Sequence, residues 1–267
     1  MATPSIAFIP AGYKSAKAYS QLPVNGDGDL TFDRTFDGSY EGSDGLIKVA
    51  NADIPRYDFS DGSCPSLLLE PQSTNLLTYS EDISNGVWGK SNLTVDTNVI
   101  LSPDGELTAD KIKEDSSTNA HFIQNTATLI SGNTYTASFF CKKAERSWVK
   151  IDSSSNTNWS AGAFFDLENG VVGNIDSGTA EIQELDNGWY RCSITGLANS
   201  SVLVGVLVFL SADGSTVSYL GDGTSGAYVW GGQLEQKSYA TSYIPTVATT
   251  ETRGAETAFK TGLSSYI

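Results

Sequence analysis

The chain has 267 residues and a formal net charge of −15, and only 18% of its residues are charged. Such an acidic surface repels phosphate backbones and anionic lipid, so the composition argues against binding to nucleic acid or to a membrane surface. No run approaches the roughly 18 apolar residues that a membrane-spanning helix needs, and no signal-peptide pattern opens the chain, so we expect synthesis in the cytoplasm without a signal peptide.

The first 44 residues lack a regular apolar pattern. Gly and Asp cluster in NGDGDL and DGSYEGSDG, and only residues 11–20 have the composition of a short helix. Because this segment is small and polar, we expect an extended attachment arm that lies along a partner or along the rest of the chain. Asp27, Asp29 and Asp33 alternate here, but the closing glutamate of an EF-hand loop is lacking. Turn chemistry therefore explains these carboxylates better than calcium, although the sequence leaves calcium binding open.

The next segment is GLIKVANADIPRYDFSDGSCPSLLLEPQSTNLL, residues 45–77. Its prolines at 55, 65 and 71 remove backbone donors and fix φ, which predicts an extended strap with one short apolar strand at 67–69. Through its GLI, PR, CPSLLLEPQ and TNLL motifs, the segment resembles a linker-like module of phage structural proteins. The resemblance implies a position between an N-terminal attachment segment and a β-sandwich.

From about residue 75 to residue 246, strand-like runs alternate with turn residues, which is typical of a β-sandwich or jelly roll. Asn169-Gly170 and Asn187-Gly188 suit the positive φ that tight hairpins need. The sequence therefore predicts an all-β fold, a jelly-roll β-sandwich with an extended N-terminal arm. The predicted strands are residues 108–113, 121–125, 134–142, 148–153, 163–167, 180–184, 189–195, 202–209 and 227–234.

Several parts of this region also resemble phage β-sandwiches, which are similar to family 4 and family 9 carbohydrate-binding modules. The resembling parts are TNLLTYSEDISNGVWGKSNLTV, DNGWYRCSITG and VWGGQLEQKSYATSYIPT. The resemblance spans roughly residues 25–253 and implies three regions: an arm and strap at 1–78, a sandwich at 79–247 and a C-terminal tail at 248–267. Many such proteins continue into a further domain, in which we expect a receptor-binding or enzymatic tip to lie.

The three cysteines, Cys64, Cys141 and Cys192, form no C-x-x-C motif, and an odd number cannot pair fully within one chain. We expect reduced, buried thiols, with Cys141 and Cys192 both facing the core of the sandwich. Synthesis in a reducing cytoplasm would leave even neighbouring thiols unpaired.

Catalytic patterns are scarce. The single histidine, His121, has no G-x-S-x-G motif beside it, and one His with three scattered Cys gives no local zinc-ligand set. The acidic residues between 166 and 186 lie in predicted strands and turns, where solvated carboxylates are common. We therefore expect a structural or surface histidine, no enzyme activity, no cofactor and no metal.

The sequence favours a sugar-binding site over a catalytic site or a metal site. Trp148 and Trp159 flank the polar stretch DSSSNTNW, and an exposed aromatic ring suits the C–H face of a pyranose while amides supply hydrogen bonds. Our candidate carbohydrate-binding residues are Trp148, Trp159, Asn156 and Asn158. The alternative is that Trp148 packs in the core or beneath a loop and that Trp159 covers a rim of the sandwich.

The run SVLVGVLVFL at 201–210 is apolar on both strand faces, so something should cover its outer face. The arm, the strap or a neighbouring subunit could do so. Because phage spikes and fibres are commonly trimeric, the resemblance to phage proteins leads us to expect a homotrimer.

These observations favour a non-enzymatic phage virion protein, such as a head fibre, spike or capsid decoration. Its arm would dock on capsid or tail proteins while the sandwich adheres to a cell-surface glycan. The alternatives are a tail-associated host-recognition protein and a carbohydrate-binding module of a polysaccharide-degrading system. The sequence leaves the choice between head and tail open.

Overall fold

Short antiparallel strands dominate the computed structural model, which describes residues 12–21, 25–60 and 62–261. Within these ranges the one helical element is a 3₁₀ turn at Asp186–Gly188, so the all-β prediction is confirmed. Among the described residues, no helix is long and apolar enough to span a bilayer. The chain divides into two compact units. The first comprises Met1–Ser73, Ser242–Ile244 and Thr252–Ile267, and the second comprises Thr74–Thr241 and Pro245–Glu251.

The strands are numbered in chain order. Up to residue 75 they are β1 Tyr13–Lys14, β2 Lys17–Ala18, β3 Leu30–Asp33, β4 Gly38–Glu41, β5 Ile47–Ala50, β6 Arg56–Asp58, β7 Ser66–Leu68 and β8 Ser73–Asn75. From there to residue 235 they are β9 Gly89–Ser91, β10 Leu93–Ile100, β11 Ala109–Glu114, β12 Thr118–Ala120, β13 Phe122–Thr128, β14 Thr134–Lys143, β15 Trp148–Ser153, β16 Gly162–Asp166, β17 Val171–Ser177, β18 Thr179–Glu184, β19 Tyr190–Leu197, β20 Leu203–Ser211, β21 Ser218–Leu220 and β22 Gly226–Glu235. The last two are β23 Glu251–Arg253 and β24 Thr257–Phe259.

The first unit is built from short hairpins rather than from an extended arm. Strands β1, β2, β3 and β24 form one sheet in that order, and β4–β5 and β6–β7 form two-stranded sheets. Phe32 on β3 and Ala18 on β2 are almost fully buried. The C-terminal strand β24 pairs with β3, so the part of the tail that the structure describes around β24 belongs to this unit.

The helix expected at 11–20 is wrong for the described part of that range. Tyr13 pairs with Ala18 and Lys14 with Lys17, which makes a tight hairpin. Ala16 turns the chain with a φ of 60°, and its N–H donates to the carbonyl of Asp53 at 2.7 Å. Pairing of β2 with β3 thus supplies the backbone hydrogen bonds that an isolated short helix would have had to make alone.

The second unit is a jelly-roll β-sandwich, which confirms that fold prediction. In the described residues, one six-stranded sheet has the order β10-β11-β22-β14-β19-β18 and the other has the order β17-β16-β15-β20-β13-β9. Successive strands change sheet repeatedly, from β13 to β14 to β15 and again from β19 to β20 to β22. The Gly170 and Asn187-Gly188 turns have positive φ, as the tight hairpins require.

The core of the sandwich comes from the period-two pattern of its strands. On β20, Val204, Val206, Val208 and Leu210 are all at most 1% exposed and face the core. Each large apolar side chain buried in this way stabilises the fold by about 1.5–3 kcal/mol. The largest contributors to the core are Trp88, Tyr135, Phe139, Trp159 and Phe165.

Candidate functional site

The outward side of the second sheet carries a patch of aromatic and charged side chains. Strand alternation places these residues there, because their neighbours along each strand point into the core. Cross-strand pairing on β13, β20, β15 and β16 brings them side by side. We call this patch the outer face, and it consists of Phe122, Gln124, Trp148, Lys150, Asp152, Phe164, Leu207 and Phe209.

The phenylalanine rings occupy two places on the outer face. Phe122 and Phe209 are directly opposite each other, with ring centroids 4.9 Å apart, and both are half-buried. The ammonium of Lys150 lies 5.2 Å from the ring centroid of Phe164, which is only 4% exposed. The half-buried pair therefore offers apolar surface to a ligand, whereas Phe164 serves mainly as support.

Charge on the outer face is held in a compact ion-pair group. Lys150 Nζ lies 2.5 Å from a carboxylate oxygen of Asp152 and 2.6 Å from one of Asp176. Burial lowers the pKa of Lys150, but the two carboxylates outweigh it and the net shift is upward. Burial raises the pKa of Asp152 despite the attraction of Lys150. Because both carboxylates are bound to the same ammonium, they form a fixed polar surface rather than a pair free to act as acid and base.

Trp148 lies on the outer face, where two glycines make room for its ring. A Cβ on Gly214 would lie 2.5 Å from the ring and one on Gly173 would lie 2.7 Å from it. Gly214 also has a φ of 72°, which suits glycine. The half-buried ring is therefore held in a fixed orientation, and the expected position beneath a loop describes it better than a fully exposed platform.

Trp159 is not a surface ring, and the expectation that it forms an exposed sugar platform is wrong. Its side chain is 0% exposed within the core, and its indole N–H donates to the carbonyl of Gly196 at 3.1 Å. A large apolar ring after a polar loop gains more by burial in the sandwich than by exposure. The structure therefore does not bring Trp148 and Trp159 together.

The two candidate asparagines lie in the loop after β15. Asn156 is exposed, and its side-chain oxygen accepts a hydrogen bond from Ser177 Oγ at 3.2 Å. Asn158 is half-buried, and its backbone carbonyl accepts from the N–H of Asn199 at 2.7 Å. Sugar binding by Trp148, Asn156 and Asn158 stays a prediction.

Sequence reasoning missed Phe122, Lys150, Phe164 and Phe209. One signal was present: WVKIDS places Trp148, Lys150 and Asp152 at alternate positions of one strand, hence on one face. The order of the strands in the sheet, which adds the phenylalanines, could not be read from local patterns.

The outer side of the strand at 203–211 is covered only in part, because Leu203 is 60% exposed and Phe209 is half-buried. Leu207 on its outer side is 5% exposed and is flanked by Gln124 of β13 and Asp152 of β15. At Leu207 no arm, strap or other subunit is needed as a cover, and the expectation that one of them covers the rest of this face stays a prediction. Trimer formation likewise stays a prediction.

His121 is a structural residue. It is 0% exposed, its Nδ1 lies 2.6 Å from the carbonyl oxygen of Asn92, and its ring centroid lies 5.0 Å from that of Tyr219. Within the described ranges, no group of three or more His, Cys, Asp and Glu side chains is arranged to hold a metal ion.

The cysteines divide into two classes. Cys141 and Cys192 are buried free thiols of the core, as expected, and burial together with the neighbouring Cys141 raises the pKa of Cys192 well above its ordinary value. Cys64 is exposed, so the expectation of a buried thiol is wrong at this position. It lies in the turn between β6 and β7 of the first unit.

The segment that resembles the phage module contributes two residues, Arg56 and Glu70, to a buried cluster of charged side chains in the first unit. Three arginines and two glutamates take part, and their side chains are at most 9% exposed. We call this group the charge cluster, and it consists of Arg34, Arg56, Glu70, Arg253 and Glu256.

Arg56 and Glu256 form the centre of the charge cluster. Arg56 Nε donates to Glu256 at 2.7 Å, and Arg56 also donates to Glu70 at 2.7 Å. Arg34 donates to Glu256 at 2.7 Å and to the carbonyl of Ala50 at 2.8 Å. Buried charges need this density of partners, because an unpaired ion costs several kcal/mol to desolvate.

No protein-family model matches the sequence, and no curated protein matches it. Several solved structures are similar to the chain at low identity, among them the three that follow. The enzymatically active domain of tailspike protein 4 of bacteriophage CBA120 is 11% identical over 60% of this chain and 21% of that chain, with a TM-score of 0.37. The module TmCBM27, described by specific mannan recognition, is 10% identical over 64% of this chain and 98% of that one, with a TM-score of 0.34.

The third is a Clostridium thermocellum structure of the CBM22-1 and GH10 modules of endo-1,4-β-D-xylanase 10B, complexed with xylohexaose. It is 12% identical over 65% of this chain and 29% of that one, with a TM-score of 0.32. This chain thus spans about a fifth of the tailspike structure. At these identities and TM-scores, the likenesses carry no argument about function, and the β-sandwich assignment stands on the strand pairing itself.

Proposed function

We propose that this chain is a non-enzymatic structural protein of a phage particle, a head fibre, spike or capsid decoration whose β-sandwich is displayed for adhesion. The first unit docks on capsid or tail proteins, and several copies, as in a homotrimer, present the sandwiches together. Weak contacts by each copy then combine into avidity, because tethered sites rebind at a high effective concentration. The protein is made in the host cytoplasm and resides in the virion.

The observation that carries this proposal is how the phage-like module uses its charged residues. Arg56 and Glu70, both within that module, form an ion pair with each other, and Arg56 also pairs with Glu256 in the charge cluster. Asp58 accepts the N–H of Glu41 at 2.7 Å. These side chains join strands of the first unit. The charged residues of the segment that resembles phage proteins therefore stabilise the fold, which supports a structural role.

Location in the particle is the direct test. Antibody-gold electron microscopy of particles from the source culture should label the virion. Label on capsids supports a head fibre or decoration, and label at the tail supports the host-recognition alternative. Antigen that is free in the medium, with particles unlabelled, contradicts the virion proposal.

Docking by the first unit has its own test. Removal of residues 1–44 would also remove the buried residues Phe32 and Arg34 and so disturb the fold of the unit. A substitution of one surface residue tests docking without that side effect. Phe36 is 55% exposed, and we expect Phe36→Ser to lower incorporation into particles. The matched control is Leu203→Ser on the sandwich, where the side chain is 60% exposed. Equal incorporation of both variants contradicts docking through this surface.

A second candidate function, carbohydrate binding, is favoured by the outer face. The half-buried rings of Trp148, Phe122 and Phe209 are apolar, and the Lys150 ion pairs supply polar groups beside them. Trp148→Ala should weaken glycan retention by about tenfold, as loss of one stacking ring does. Unchanged retention across a broad glycan array would instead make Trp148 a packing residue.

A further inference from the structure

A separate cleft in the first unit is lined in part by aromatic side chains, which are Tyr13, Tyr40, Tyr57 and Phe59. It has a volume of about 260 Å³ and lies where β1, the β4–β5 hairpin and β6 meet. No residue of the sandwich contributes to it. The lining residues are Gly12, Tyr13, Tyr40, Gly42, Ser43, Lys48, Pro55, Tyr57, Phe59 and Pro65. We call it the tyrosine cleft.

The rings of the tyrosine cleft are held in place by the unit itself. Tyr57 is 9% exposed, and its hydroxyl donates to the carbonyl of Gly12 at 3.1 Å. Tyr13 meets it edge to face, with ring centroids 5.4 Å apart, and remains 45% exposed. Tyr40 is half-buried opposite Lys48 on the β4–β5 hairpin. The cleft thus combines one fixed ring with two rings that have free surface.

The charge in the cleft is already neutralised. Lys48 Nζ lies 2.7 Å from a carboxylate oxygen of Asp44. A Cβ on Gly42 would lie 2.7 Å from both the Asp44 carboxylate and the Lys48 side chain. The ion pair therefore packs directly against the backbone of this glycine. An anionic ligand would have to displace Asp44 and approach a chain of net charge −15, which disfavours acidic glycans and phosphates.

The polar groups of the cleft are mostly hydroxyls. The side chains of Tyr13, Tyr40 and Ser43 each both donate and accept hydrogen bonds, as sugar hydroxyls do. Burial raises the pKa of Tyr40, and it raises that of Tyr57 to about 12, so these phenols stay protonated in neutral solution. A proline-rich peptide is the other class of ligand that an aromatic groove can bind, so the titration includes one.

We propose that the tyrosine cleft binds a sugar residue of a neutral glycan. The pyranose C–H face stacks on the free ring surface of Tyr13, and its hydroxyls exchange hydrogen bonds with Tyr40 and Ser43. The volume is slightly below the roughly 300 Å³ at which pockets for drug-sized ligands begin, which suits a short segment of a glycan. The tyrosine cleft shares no residue with the outer face. An experiment can therefore contradict sugar binding at one of the two sites without contradicting it at the other.

The test uses the full-length chain with ¹³C-labelled tyrosine, titrated with neutral oligosaccharides of glucose, galactose, mannose, xylose and N-acetylglucosamine. At least one of these should shift the resonances of Tyr13 and Tyr40. Tyr13→Ala should weaken the affinity by about tenfold and Tyr40→Phe by a few-fold. Tyr239→Ala, which removes a ring that is 46% exposed on the sandwich unit, is the matched control and should change nothing.

Trp148→Ala separates the two sites, because it leaves the tyrosine shifts intact if the cleft binds sugar by itself. Three outcomes overturn the proposal: no neutral sugar shifts the cleft tyrosines, Tyr13→Ala leaves sugar affinity unchanged, or a proline-rich peptide shifts these tyrosines while the sugars do not. The last outcome would assign the cleft to an extended peptide.

Discussion

Arg56 and Glu256 are 200 positions apart in the sequence, yet Arg56 Nε lies 2.7 Å from Glu256 Oε1 and both side chains are 0% exposed. Glu256 also accepts the backbone N–H of Glu70 at 3.0 Å. The C-terminal segment is therefore tied into the first unit by buried charge as well as by pairing of β24 with β3. This tie makes the stability of the unit sensitive to a single carboxylate.

Glu256→Gln should destabilise the first unit by about 3–5 kcal/mol, because it leaves buried guanidinium groups without their counter-charge. Hydrogen exchange measured by mass spectrometry should show faster exchange at β3, β4 and β6, with little change in the sandwich strands. Glu168→Gln is the matched control: it breaks the exposed ion pair with Lys143, worth about 0–1 kcal/mol. Similar exchange in the two variants would contradict a stabilising role for the charge cluster.

Acid should weaken the first unit through Glu70. Burial raises the pKa of Glu70, but Arg253 and Arg56, with hydrogen bonds from Ser242, outweigh it and hold the pKa below 4.5. Because the folded state binds this proton less tightly than the unfolded state, the stabilisation is present above 4.5 and is lost as the pH falls through the folded-state pKa. Protection of the β6 amides, expressed relative to their intrinsic exchange rate at each pH, should therefore fall as the pH drops below 4.5.

Glu70→Gln supplies the control for this pH dependence, because an amide does not titrate. The variant should be less stable than the parent chain in neutral solution, and its acid-induced change should be smaller. An identical acid profile in parent and variant would assign the transition to other carboxyl groups.

The sandwich strands were largely predictable because their signals are local. Residues 148–153 were predicted as a strand and form β15, and 134–142 was predicted where β14 spans Thr134–Lys143. Alternating apolar residues bounded by Gly- and Asn-containing turns encode these strands directly. The buried thiols of Cys141 and Cys192 followed from the same alternation.

The first unit was not predictable in this way, because its core depends on distant partners. Glu256 completes a cluster whose other members include Arg34 and Arg56, and no local pattern connects residues that far apart. The sequence therefore predicts an arm at residues 1–44 and a strap at residues 45–77. For the same reason, the sequence predicts only part of the outer face. Alternation along β15 places Trp148 and Lys150 on one side of the strand, but the order of the strands in the sheet is needed to add Phe209.

Thiol labelling should distinguish the three cysteines. In the native chain one thiol, Cys64, should react quickly with a maleimide, because it is exposed while Cys141 and Cys192 are buried. All three should react in denaturant. The raised pKa of Cys192 further slows its reaction, since the thiolate is the reactive form. Peptide mapping by mass spectrometry identifies the site, and rapid native labelling of Cys141 would contradict the packing of the sandwich core.

The two candidate tryptophans should differ in what they do for stability. Trp159→Ala empties a core position and removes the hydrogen bond to Gly196, so we expect a loss of about 3–5 kcal/mol in the free energy of unfolding. Trp148→Ala removes a half-buried ring from the outer face, and the loss should be clearly smaller. Urea unfolding followed by tryptophan fluorescence measures both, because all the tryptophans lie in the sandwich unit. Equal losses would mean that Trp148 is as much a packing residue as Trp159, which would leave the outer face without its largest candidate ring for a sugar.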